Sequence, residues 1–284
     1  MFLNEKEGTI IGKFLKNLDK FDIEEMTLVW SEGETITARF DTCFEDENEF
    51  EETDTRYEEF TTFVFDVSYR YKNMKIILTG ATGYVGEGVL LSLLQTSEVE
   101  KVLSVSRRPC EVTHEKLEEY IVSDFMDLPA NDPKLQGYDA CFFCAGKSNI
   151  GMSMEDYYHL SYEITMHFAE AIGANSEFVF IYLSGAGTSD KSYQFWSQTK
   201  AKTERDLMAY PFKSAFGFRP AGIKPVKGQK RLQGWGKYHW LFTWIPGFSN
   251  SVEEITQAMI NVVRDGYHKS IVDVSDIKHL VNRS

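Results

Sequence analysis

The feature that most constrains this chain is Met74–Leu94, a run of 21 residues that reads as a strand, a glycine-rich turn and a helix. Lys75–Thr79 is a short apolar run, and Gly80, Gly83 and Gly86 follow it at the spacing G-x-x-G-x-x-G. A glycine at the tight turn lets a pyrophosphate approach the backbone, and a later glycine lets the helix lie close to the strand. The free N–H groups and the positive dipole end of that helix then face the phosphates. The run therefore predicts a dinucleotide-binding turn rather than an ordinary tight turn.

Charge divides the chain into two predicted domains. Residues 1–73 hold 8 basic and 19 acidic side chains, a net charge of −11, whereas residues 74–284 have a net charge of only −2. An asymmetry of this kind indicates two domains, and 284 residues are enough for both. We expect a small, acidic, mainly β domain over 1–73 and a dinucleotide-binding domain with a C-terminal substrate region over 74–284. The predicted linker is Tyr71–Asn73.

The first domain reads as β-hairpin material. Its β-branched and aromatic runs are Met26–Trp30, Thr35–Phe40 and Phe60–Tyr69, and Ser31–Gly33 forms a turn between the first two. Ten carboxylates lie from Asp41 to Glu59, but no glycine stands where an EF-hand loop needs its sharp turn. We therefore interpret this acidic run as a solvated loop rather than a cation site. The segment resembles small acidic bacterial domains of unknown function, a resemblance that implies no activity.

Composition argues against several classes of partner. The longest apolar stretches, such as Trp240–Pro246, are too short to cross a bilayer, so no membrane partner is expected. The N-terminus shows neither a signal peptide nor a transit pattern, so we expect a cytoplasmic protein. The formal charge of −13 and the lack of a basic stripe argue against nucleic acid as a partner.

The cysteines and histidines predict neither a disulfide framework nor a metal site. Four cysteines in 284 residues do not form such a framework, and no two of the six histidines stand at metal-ligand spacing. Cys141 and Cys144 form a C-x-x-C pattern inside a run that reads as a buried strand. Residues three apart on a strand point to opposite faces, so these thiols are not expected to share a metal or a disulfide.

The second domain alternates strands and helices, as a doubly wound parallel sheet requires. The predicted fold class is therefore α/β, with a Rossmann-like sheet preceded by the small acidic domain. Helices are expected around Met154–Ile172, Tyr193–Met208 and Val252–Val263. Strands after the first are expected at Lys101–Ser106, Glu119–Val122, Tyr138–Cys144, Phe178–Leu183, Ser214–Phe218 and Ser270–Val274.

The end of the second strand indicates which dinucleotide is bound. Ser106 is followed there by Arg107 and Arg108. An acidic residue at this place would accept hydrogen bonds from the adenine ribose of NAD, whereas arginines suit the 2′-phosphate of NADP. The alternative is a pair of solvated arginines at a strand end. We favour NADP as the cofactor, with NAD as the second possibility.

With these motifs, residues 74–284 resemble the atypical or extended short-chain dehydrogenase/reductase superfamily, whose members are NAD(P)-binding and epimerase-like. Ser184 and Lys200 fall where that superfamily keeps its catalytic serine and the lysine of Tyr-x-x-x-Lys. More closely, the chain is similar to a bacterial subgroup labelled only as epimerase- or dehydrogenase-like. The cofactor contacts that the resemblance implies are Gly80, Thr82, Gly83, Tyr84, Val85, Gly86, Arg107, Arg108, Asp124, Phe125, Ala145, Gly146, Lys200, Pro220 and Ile223.

The resemblance also relates these contacts to parts of the cofactor. Asp124–Phe125 looks like the pair that contacts adenine, and Ala145–Gly146 looks like the segment that lines the cofactor ribose. Arg219–Ile223 resembles the turn beside the nicotinamide. The superfamily's lysine, here Lys200, also hydrogen-bonds the nicotinamide ribose.

One departure limits the resemblance, because Trp196 stands where the catalytic tyrosine is expected. A phenol beside a lysine can pass a proton to a substrate oxygen, whereas an indole N–H donates a hydrogen bond without titrating in the needed range. One explanation is a sensor that binds NADP(H) without ordinary turnover. A second is an enzyme that uses Tyr193, which on a continuous helix would share a face with Lys200, or which is simply an aromatic at a helix start. A third is a reaction for which the cofactor and Ser184 suffice.

The substrate determinants are expected within residues 221–250. The cations and aromatics there could select a planar or anionic ligand beside the nicotinamide, or the aromatics could simply cover the sheet edge. Lys147 is either a contact to a phosphate or to an acidic substrate, or an exposed loop lysine, and we favour the exposed lysine. The sequence thus predicts an NADP-preferring protein with atypical or reduced oxidoreductase or epimerase-like activity on an unnamed small molecule, or a non-catalytic NADP(H) sensor. The side chains in question are Lys224, Lys227, Lys230, Arg231, Trp235, Tyr238, His239 and Trp240.

Overall fold

The computed structural model describes residues 26–29, 35–47, 59–66, 74–232 and 249–282. The chain divides into two compact units, Met1–Lys72 and Asn73–Ser284. The predicted turn Ser31–Gly33 and the predicted linker Tyr71–Asn73 lie outside the described residues. No helix in the described part of the chain is long and apolar enough to cross a membrane.

The first unit contains an antiparallel sheet of three strands in the order β1-β2-β3. These strands are β1 (Met26–Val29), β2 (Thr35–Glu47) and β3 (Glu59–Asp66). Strand β2 continues through Glu47, so the first part of the acidic run from Asp41 to Glu59 is a strand, and the expectation of a loop is wrong there. Thr42, Cys43 and Phe44 pair in register with the β-branched and aromatic residues of β3, and this pairing extends the strand.

The second unit is built on a seven-stranded parallel sheet in the order β12-β9-β8-β7-β4-β5-β6. This arrangement confirms the predicted doubly wound α/β fold, and the strands begin and end within a few residues of their predicted bounds. Two further short strands, β10 (Gly222–Lys224) and β11 (Ser249–Ser251), pair in parallel beside the main sheet. The sheet strands are β4 (Met74–Thr79), β5 (Val99–Ser106), β6 (Leu117–Ile121), β7 (Ala140–Phe143), β8 (Asn175–Leu183), β9 (Phe212–Arg219) and β12 (Ile271–Asp273).

Helices cover both faces of this sheet because successive strand residues are apolar on both sides. Ile76 and Leu78 face a core that includes Val89 of the first helix, whereas Ile77 between them faces a core that includes Phe168. The helices are α1 (Tyr84–Gln95), α2 (Met154–Tyr158), α3 (Ile164–Ile172), α4 (Phe195–Met208), α5 (Val252–Asp265) and α6 (Val274–Val281).

Two helical predictions differ from the structure in ways that affect the site. The predicted helix Met154–Ile172 is interrupted by a π-helical turn at His159–Glu163, between α2 and α3. Helix α4 begins at Phe195, with Gln194 as its N-cap, and therefore does not include Tyr193. The cause at α4 is local, because Ser192 and Ser197 hydrogen-bond to the backbone ahead of the helix and fold that segment as a loop.

The order of the strands determines where the predicted cofactor site lies. Strand β4 lies between β5 and β7, and the chain reverses its direction of winding there, which leaves a crevice at the carboxyl ends of these strands. The glycine turn after β4, the arginines after β5 and Ala145–Gly146 after β7 all lie at this edge. The fold thus gathers the predicted cofactor contacts from separate parts of the sequence.

Candidate functional site

The glycine turn after β4 is determined by close contacts between backbone segments. Gly80 has a φ of 76°, and a Cβ there would lie 2.6 Å from the carbonyl carbon of Cys144. A Cβ on Gly86 would overlap the carbonyl oxygen of Gly80. These two positions need glycine because the turn packs directly against the end of β7 and the helix packs directly on the turn. At Gly80 this packing is a second reason for glycine, besides the predicted approach of a pyrophosphate.

Helix α1 begins directly after this turn. Gly83 is its N-cap and donates its N–H to the carbonyl of Gly80 at 2.8 Å. The N–H groups of the first helical turn have no acceptor within the helix, and they carry the positive end of the helix dipole. Thr82 is half-buried beside them, and the side chain of Val85, also half-buried, packs in part against the core.

The segment after β7 lies against the same turn. The N–H of Ala145 donates to the hydroxyl of Thr79 at 3.0 Å, and Thr79 is fully buried. Gly146 and Lys147 are exposed, and no atom lies within 4 Å of the position of a Cβ on Gly146. An open space therefore lies beside the turn at the place where the sequence predicts a ribose contact.

The adenosine end of the predicted site contains Arg107 and Arg108, both exposed just beyond β5. Neither guanidinium takes part in an ion pair or hydrogen bond among the described residues. Ser106 donates its hydroxyl to the carbonyl of Arg108 at 2.7 Å, which holds the backbone between them in a tight turn. Two arginines are thus displayed at the carboxyl edge of the sheet.

The predicted adenine pair is only partly available to a ligand. Asp124 is exposed and its carboxylate accepts the N–H of Met126 at 2.9 Å, as the cap of a short helix. Phe125 is buried and its ring meets Phe168 edge to face, with 5.6 Å between the ring centroids. A side-chain contact from Phe125 to a cofactor is therefore excluded, because that ring belongs to the core.

Ser184, directly after β8, and Lys200, within α4, are brought together. Ser184 is buried, and its hydroxyl lies 3.1 Å from that of Thr188. The ammonium of Lys200 donates to the carbonyl of Leu183, the residue before Ser184, at 3.2 Å. The two predicted catalytic residues thus converge on one strand end.

Burial lowers the pKa of the Lys200 ammonium to about 8, although the nearby Glu204 carboxylate acts in the opposite direction. Glu204 is itself buried and paired with Arg219, whose Nε donates to its carboxylate at 2.9 Å. This pair occupies Glu204, and among the residues that the structure describes no carboxylate forms an ion pair with Lys200. Lys200 can therefore gain and lose a proton near neutral pH.

Trp196 does not present its N–H to the crevice. Its Nε1 donates to the side-chain oxygen of Gln194 at 2.5 Å, and its ring lies over Gly187 in the loop that follows Ser184. Tyr193 precedes the helix and its side chain is fully exposed. The proposed sharing of a helical face by Tyr193 and Lys200 is wrong, because the helix does not extend back to Tyr193.

Sequence reasoning missed Tyr182. Its hydroxyl lies 3.5 Å from the Lys200 ammonium and 3.5 Å from the carbonyl of Ser161, in the π-helical turn. The same carbonyl accepts the hydroxyl of Thr203 at 3.2 Å. Burial raises the pKa of Tyr182 well above its usual value. The aromatic run of β8 reads as core in the sequence, and only the fold reveals that one of its rings ends beside Lys200.

Residues 222–232, here called the bridge segment, lie against the start of α1. Tyr84 donates its hydroxyl to the carbonyl of Ile223 at 2.8 Å, and burial raises the pKa of this phenol to about 12. Gln229 donates its side-chain amide to the carbonyl of Tyr84 at 2.5 Å. Pro220, just before the segment, accepts the N–H of Ala186 at 3.0 Å. The predicted nicotinamide turn is thereby tied both to the glycine turn and to the loop after Ser184.

The predicted substrate cluster is divided by the structure. Lys230 and Arg231 lie on the first turn of α1, where their N–H groups meet the carboxylate of Glu87. For Arg231 the assignment to the nicotinamide end is wrong, because its guanidinium lies 3.5 Å from the carbonyl oxygen of Cys110, beyond β5. For Lys230 the assignment stays a prediction. Lys224 is partly exposed and Lys227 is exposed. The remaining members of the cluster lie outside the described residues, namely Trp235, Tyr238, His239 and Trp240.

The two cysteines of the C-x-x-C pattern face opposite sides of the sheet. Cys141 belongs to the core on the α3 side, and Cys144 packs against the core on the α1 side. Burial raises the pKa of Cys144 to about 12. Within the ranges that the structure describes, no group of three histidine, cysteine or carboxylate residues is arranged to hold a metal ion.

Two family models match different parts of the chain. Residues 76–213 match the model of the NAD dependent epimerase/dehydratase family, in the region of the predicted short-chain dehydrogenase/reductase resemblance. Residues 10–79 match a model described as Cognate immunity protein YxxD. The first match confirms the predicted resemblance, and the second covers the acidic segment.

Several curated relatives of the chain come from fungi. The Leucinostatins biosynthesis cluster protein T of Purpureocillium lilacinum is 30% identical over 138 residues, which is 47% of this chain and 51% of that protein. Protein FMP52, mitochondrial, of Debaryomyces hansenii is 25% identical over 226 residues, which is 73% of this chain and 98% of that protein. The chain thus spans about half the length of the first of these relatives.

These relatives correct two expectations. The expected cytoplasmic location is wrong, because the FMP52 relatives of Meyerozyma guilliermondii, Debaryomyces hansenii and Kluyveromyces lactis are named mitochondrial. The expectation had rested on the N-terminal pattern alone. A bacterial affiliation is not supported either, since these relatives come from fungi.

Solved structures share the fold of the second unit. UDP-glucuronic acid 4-epimerase from Bacillus cereus, solved with NAD, has a TM-score of 0.54 at 14% identity, over 71% of this chain and 76% of that one. MoeE5, solved with UDP-glucuronic acid and NAD, has a TM-score of 0.52 at 18% identity, over 70% of this chain and 76% of that one. At such identities the likeness concerns the fold alone.

Proposed function

We propose, on the premise that residues 76–213 form a domain of the NAD dependent epimerase/dehydratase family, that this chain binds a nicotinamide dinucleotide and prefers NADP(H) to NAD(H). The observation that carries the proposal is the junction of β4, its glycine turn and α1, with two exposed arginines at the end of the adjacent strand. The structural neighbours solved with NAD support the general cofactor class. They do not bear on the choice of NADP.

The residues present fit such a cofactor. Gly80 and Gly86 keep the turn free of side chains, and the first turn of α1 directs N–H groups towards an anion. The open space beside Gly146 could accept a ribose. Arg107 and Arg108 could each make charge-assisted hydrogen bonds with a 2′-phosphate, which NAD lacks.

The chemistry of the other end supports an atypical or reduced oxidoreductase or epimerase-like activity on a small molecule. A bound nicotinamide supplies a hydride donor or acceptor. Ser184 is placed to orient a carbonyl group, and Lys200 to hold the nicotinamide ribose and to exchange a proton near neutral pH. Trp196 supplies no titrating group, and its N–H is already bound to Gln194.

The second candidate function is a non-catalytic NADP(H) sensor or interaction protein. The contact of Trp196 with Gln194 and with the loop over Gly187 favours it, because the tyrosine position serves packing instead of proton transfer. A sensor would bind NADPH and NADP⁺ and change its affinity for a partner without consuming either. An enzyme would convert one into the other.

Equilibrium binding of NADPH and NADH to the full chain, followed by the fluorescence of the reduced nicotinamide, tests the proposal. We expect saturable binding of both, with NADPH bound more tightly. The absence of binding for either cofactor at millimolar concentration would refute the proposed cofactor class. Tighter binding of NADH would refute only the assignment of the two arginines.

A further inference from the structure

The C-terminal part of the bridge segment is anchored to α1 through a buried carboxylate. Glu87 is 4% exposed, and it accepts the N–H of Lys230 at 3.2 Å and the N–H of Arg231 at 2.6 Å. Both contacts use backbone N–H groups. The backbone of Arg231 is therefore held against α1, and this contact does not use its guanidinium.

The guanidinium of Arg231 lies close to the segment that follows β5. Its Nη2 lies 3.5 Å from the carbonyl oxygen of Cys110 and 3.3 Å from the carboxylate of Glu111. Cys110 is only two residues after Arg108, so their Cα atoms are at most about 7.6 Å apart, two steps of 3.8 Å. The bridge segment thus places the guanidinium of Arg231 near Arg107 and Arg108, although these residues are far apart in the sequence.

The present partner of Arg231 is one that a phosphate could replace. The Glu111 side chain is 74% exposed, and ion pairs with such exposed carboxylates contribute little to stability. A phosphate monoester carries up to two negative charges and matches the guanidinium with two parallel hydrogen bonds. A phosphate near Arg108 would therefore compete well with Glu111 for Arg231.

We propose that Arg231 is a third determinant of NADP specificity, and that its guanidinium joins Arg107 and Arg108 around the 2′-phosphate. This inference rests on the proposed function, since it assumes that the dinucleotide lies across the carboxyl ends of β4 and β5. Glu111 then acts as a competitor that the phosphate displaces. NAD, which has no phosphate at this position, leaves the pair of Arg231 and Glu111 intact.

Calorimetric titration of Arg231→Ala with NADPH and with NADH tests this assignment on the full chain. We expect NADPH binding to weaken by about ten- to a hundredfold, as for a lost charge-assisted contact, with NADH binding unchanged. The matched control is Arg205→Ala, because Arg205 is an exposed arginine on α4 that pairs with its neighbour Asp206. That variant should bind both cofactors as the wild type does.

The variant Glu111→Gln provides an independent test, because it should change the NADPH affinity in the opposite direction to Arg231→Ala. Removal of the competing carboxylate should tighten NADPH binding by about two- to fivefold and leave NADH binding unchanged. Equal weakening of both cofactors by Arg231→Ala would show that Arg231 only holds the bridge segment, and this would overturn the proposal. An unchanged NADPH affinity would overturn it as well. If the wild type binds neither cofactor, the proposed function itself fails.

Discussion

Two side chains on helix α4, Trp196 and Lys200, limit the chemistry that this site can perform. The indole of Trp196 is held by Gln194 and cannot act as an acid, whereas the half-buried Lys200 donates its ammonium to the carbonyl of Leu183. In the proposed enzyme Lys200 exchanges the proton and Ser184 orients the carbonyl, whereas in the proposed sensor no side chain transfers a proton. Whether any side chain transfers a proton therefore distinguishes the enzyme from the sensor.

Replacement of Trp196 by Tyr should create or raise NADPH-dependent carbonyl reduction. The new phenol would stand four residues before Lys200, and general acid assistance is typically worth about 10²–10⁴-fold in rate. The rate of carbonyl reduction is measured as the loss of NADPH absorbance in the presence of a panel of carbonyl compounds. The control is Tyr193→Phe, which removes an exposed phenol outside the helix. Brisk reduction by the wild type, with no gain in Trp196→Tyr, would contradict this reading of the site.

The lowered pKa of Lys200 predicts how stability depends on pH. Its folded-state pKa of about 8 lies below the ordinary 10.5, so between these values the unfolded chain binds more protons and the free energy of unfolding rises with pH. Lys200→Met should therefore stabilise the cofactor-free protein below pH 8. That advantage should disappear by about pH 10.5.

Lys202→Met is the matched control for this experiment. Burial alone would lower the pKa of Lys202, but hydrogen bonds with Asp206 and Tyr162 raise it to about 12. Loss of Lys202 should give no stabilisation below pH 8, since its charge is favourable in the folded state. Thermal unfolding of both variants from pH 6 to pH 10.5 measures the difference. If the advantage of Lys200→Met instead grew with pH, this would show that the pKa of Lys200 is not lowered in the folded protein.

Among the elements, the turn between β4 and α1 depends most closely on its sequence. Gly80→Ala places a Cβ within 2.6 Å of the backbone at Cys144 and strains a φ of 76°, so we expect a loss of about 3 kcal/mol in the free energy of unfolding. Gly146→Ala is the control, because nothing lies within 4 Å of its Cβ and a change within about 0.5 kcal/mol is expected. Urea denaturation measures both. Similar losses in the two variants would contradict the close packing of the turn on β7.

In the second unit, the strands of the main sheet and helices α1 and α5 could be predicted from the sequence, because each has a local signal. The short strands β10 and β11 and helix α6 are not predicted by it. Alternating apolar runs marked the strands, and the glycine spacing marked the βα turn. The start of α4 could not be predicted in this way, because the side chains of Ser192, before the helix, and Ser197, in its first turn, accept backbone N–H groups of the preceding residues and fold them as a loop. The π-helical turn at His159–Glu163 has no local sequence signal either, and the sequence predicts one continuous helix over Met154–Ile172.

The site was less predictable than the elements. Ser184, Lys200 and the strand-end arginines follow from motifs, but the burial of Phe125 depends on a distant helix that supplies Phe168. The contact of Tyr182 with Lys200 and the placement of Arg231 beside Cys110 join residues 18 and 121 positions apart. Contacts of this kind arise from tertiary packing, which a one-dimensional pattern does not encode.

At the scale of the whole molecule, the chain combines an acidic segment with a dinucleotide-binding fold. We expect a fragment that begins at Met74 to fold and to bind NADPH as the full chain does, because the described core of the second unit lies within residues 74–282. Circular dichroism and NADPH titration of the fragment measure this. Aggregation of the fragment, while the full chain stays in solution, would show that the boundary near residue 73 is misplaced.

The central claim is that the arginines after β5 make this an NADP site. Calorimetric comparison of the wild type with Arg107→Ala/Arg108→Ala, each titrated with NADPH and NADH, tests it most directly. We expect the wild type to prefer NADPH, and the double variant to lose that preference, with about 1.5–3 kcal/mol lost for each charge-assisted contact and NADH binding unchanged. A wild type that prefers NADH, or a double variant that keeps the full preference for NADPH, would contradict the claim.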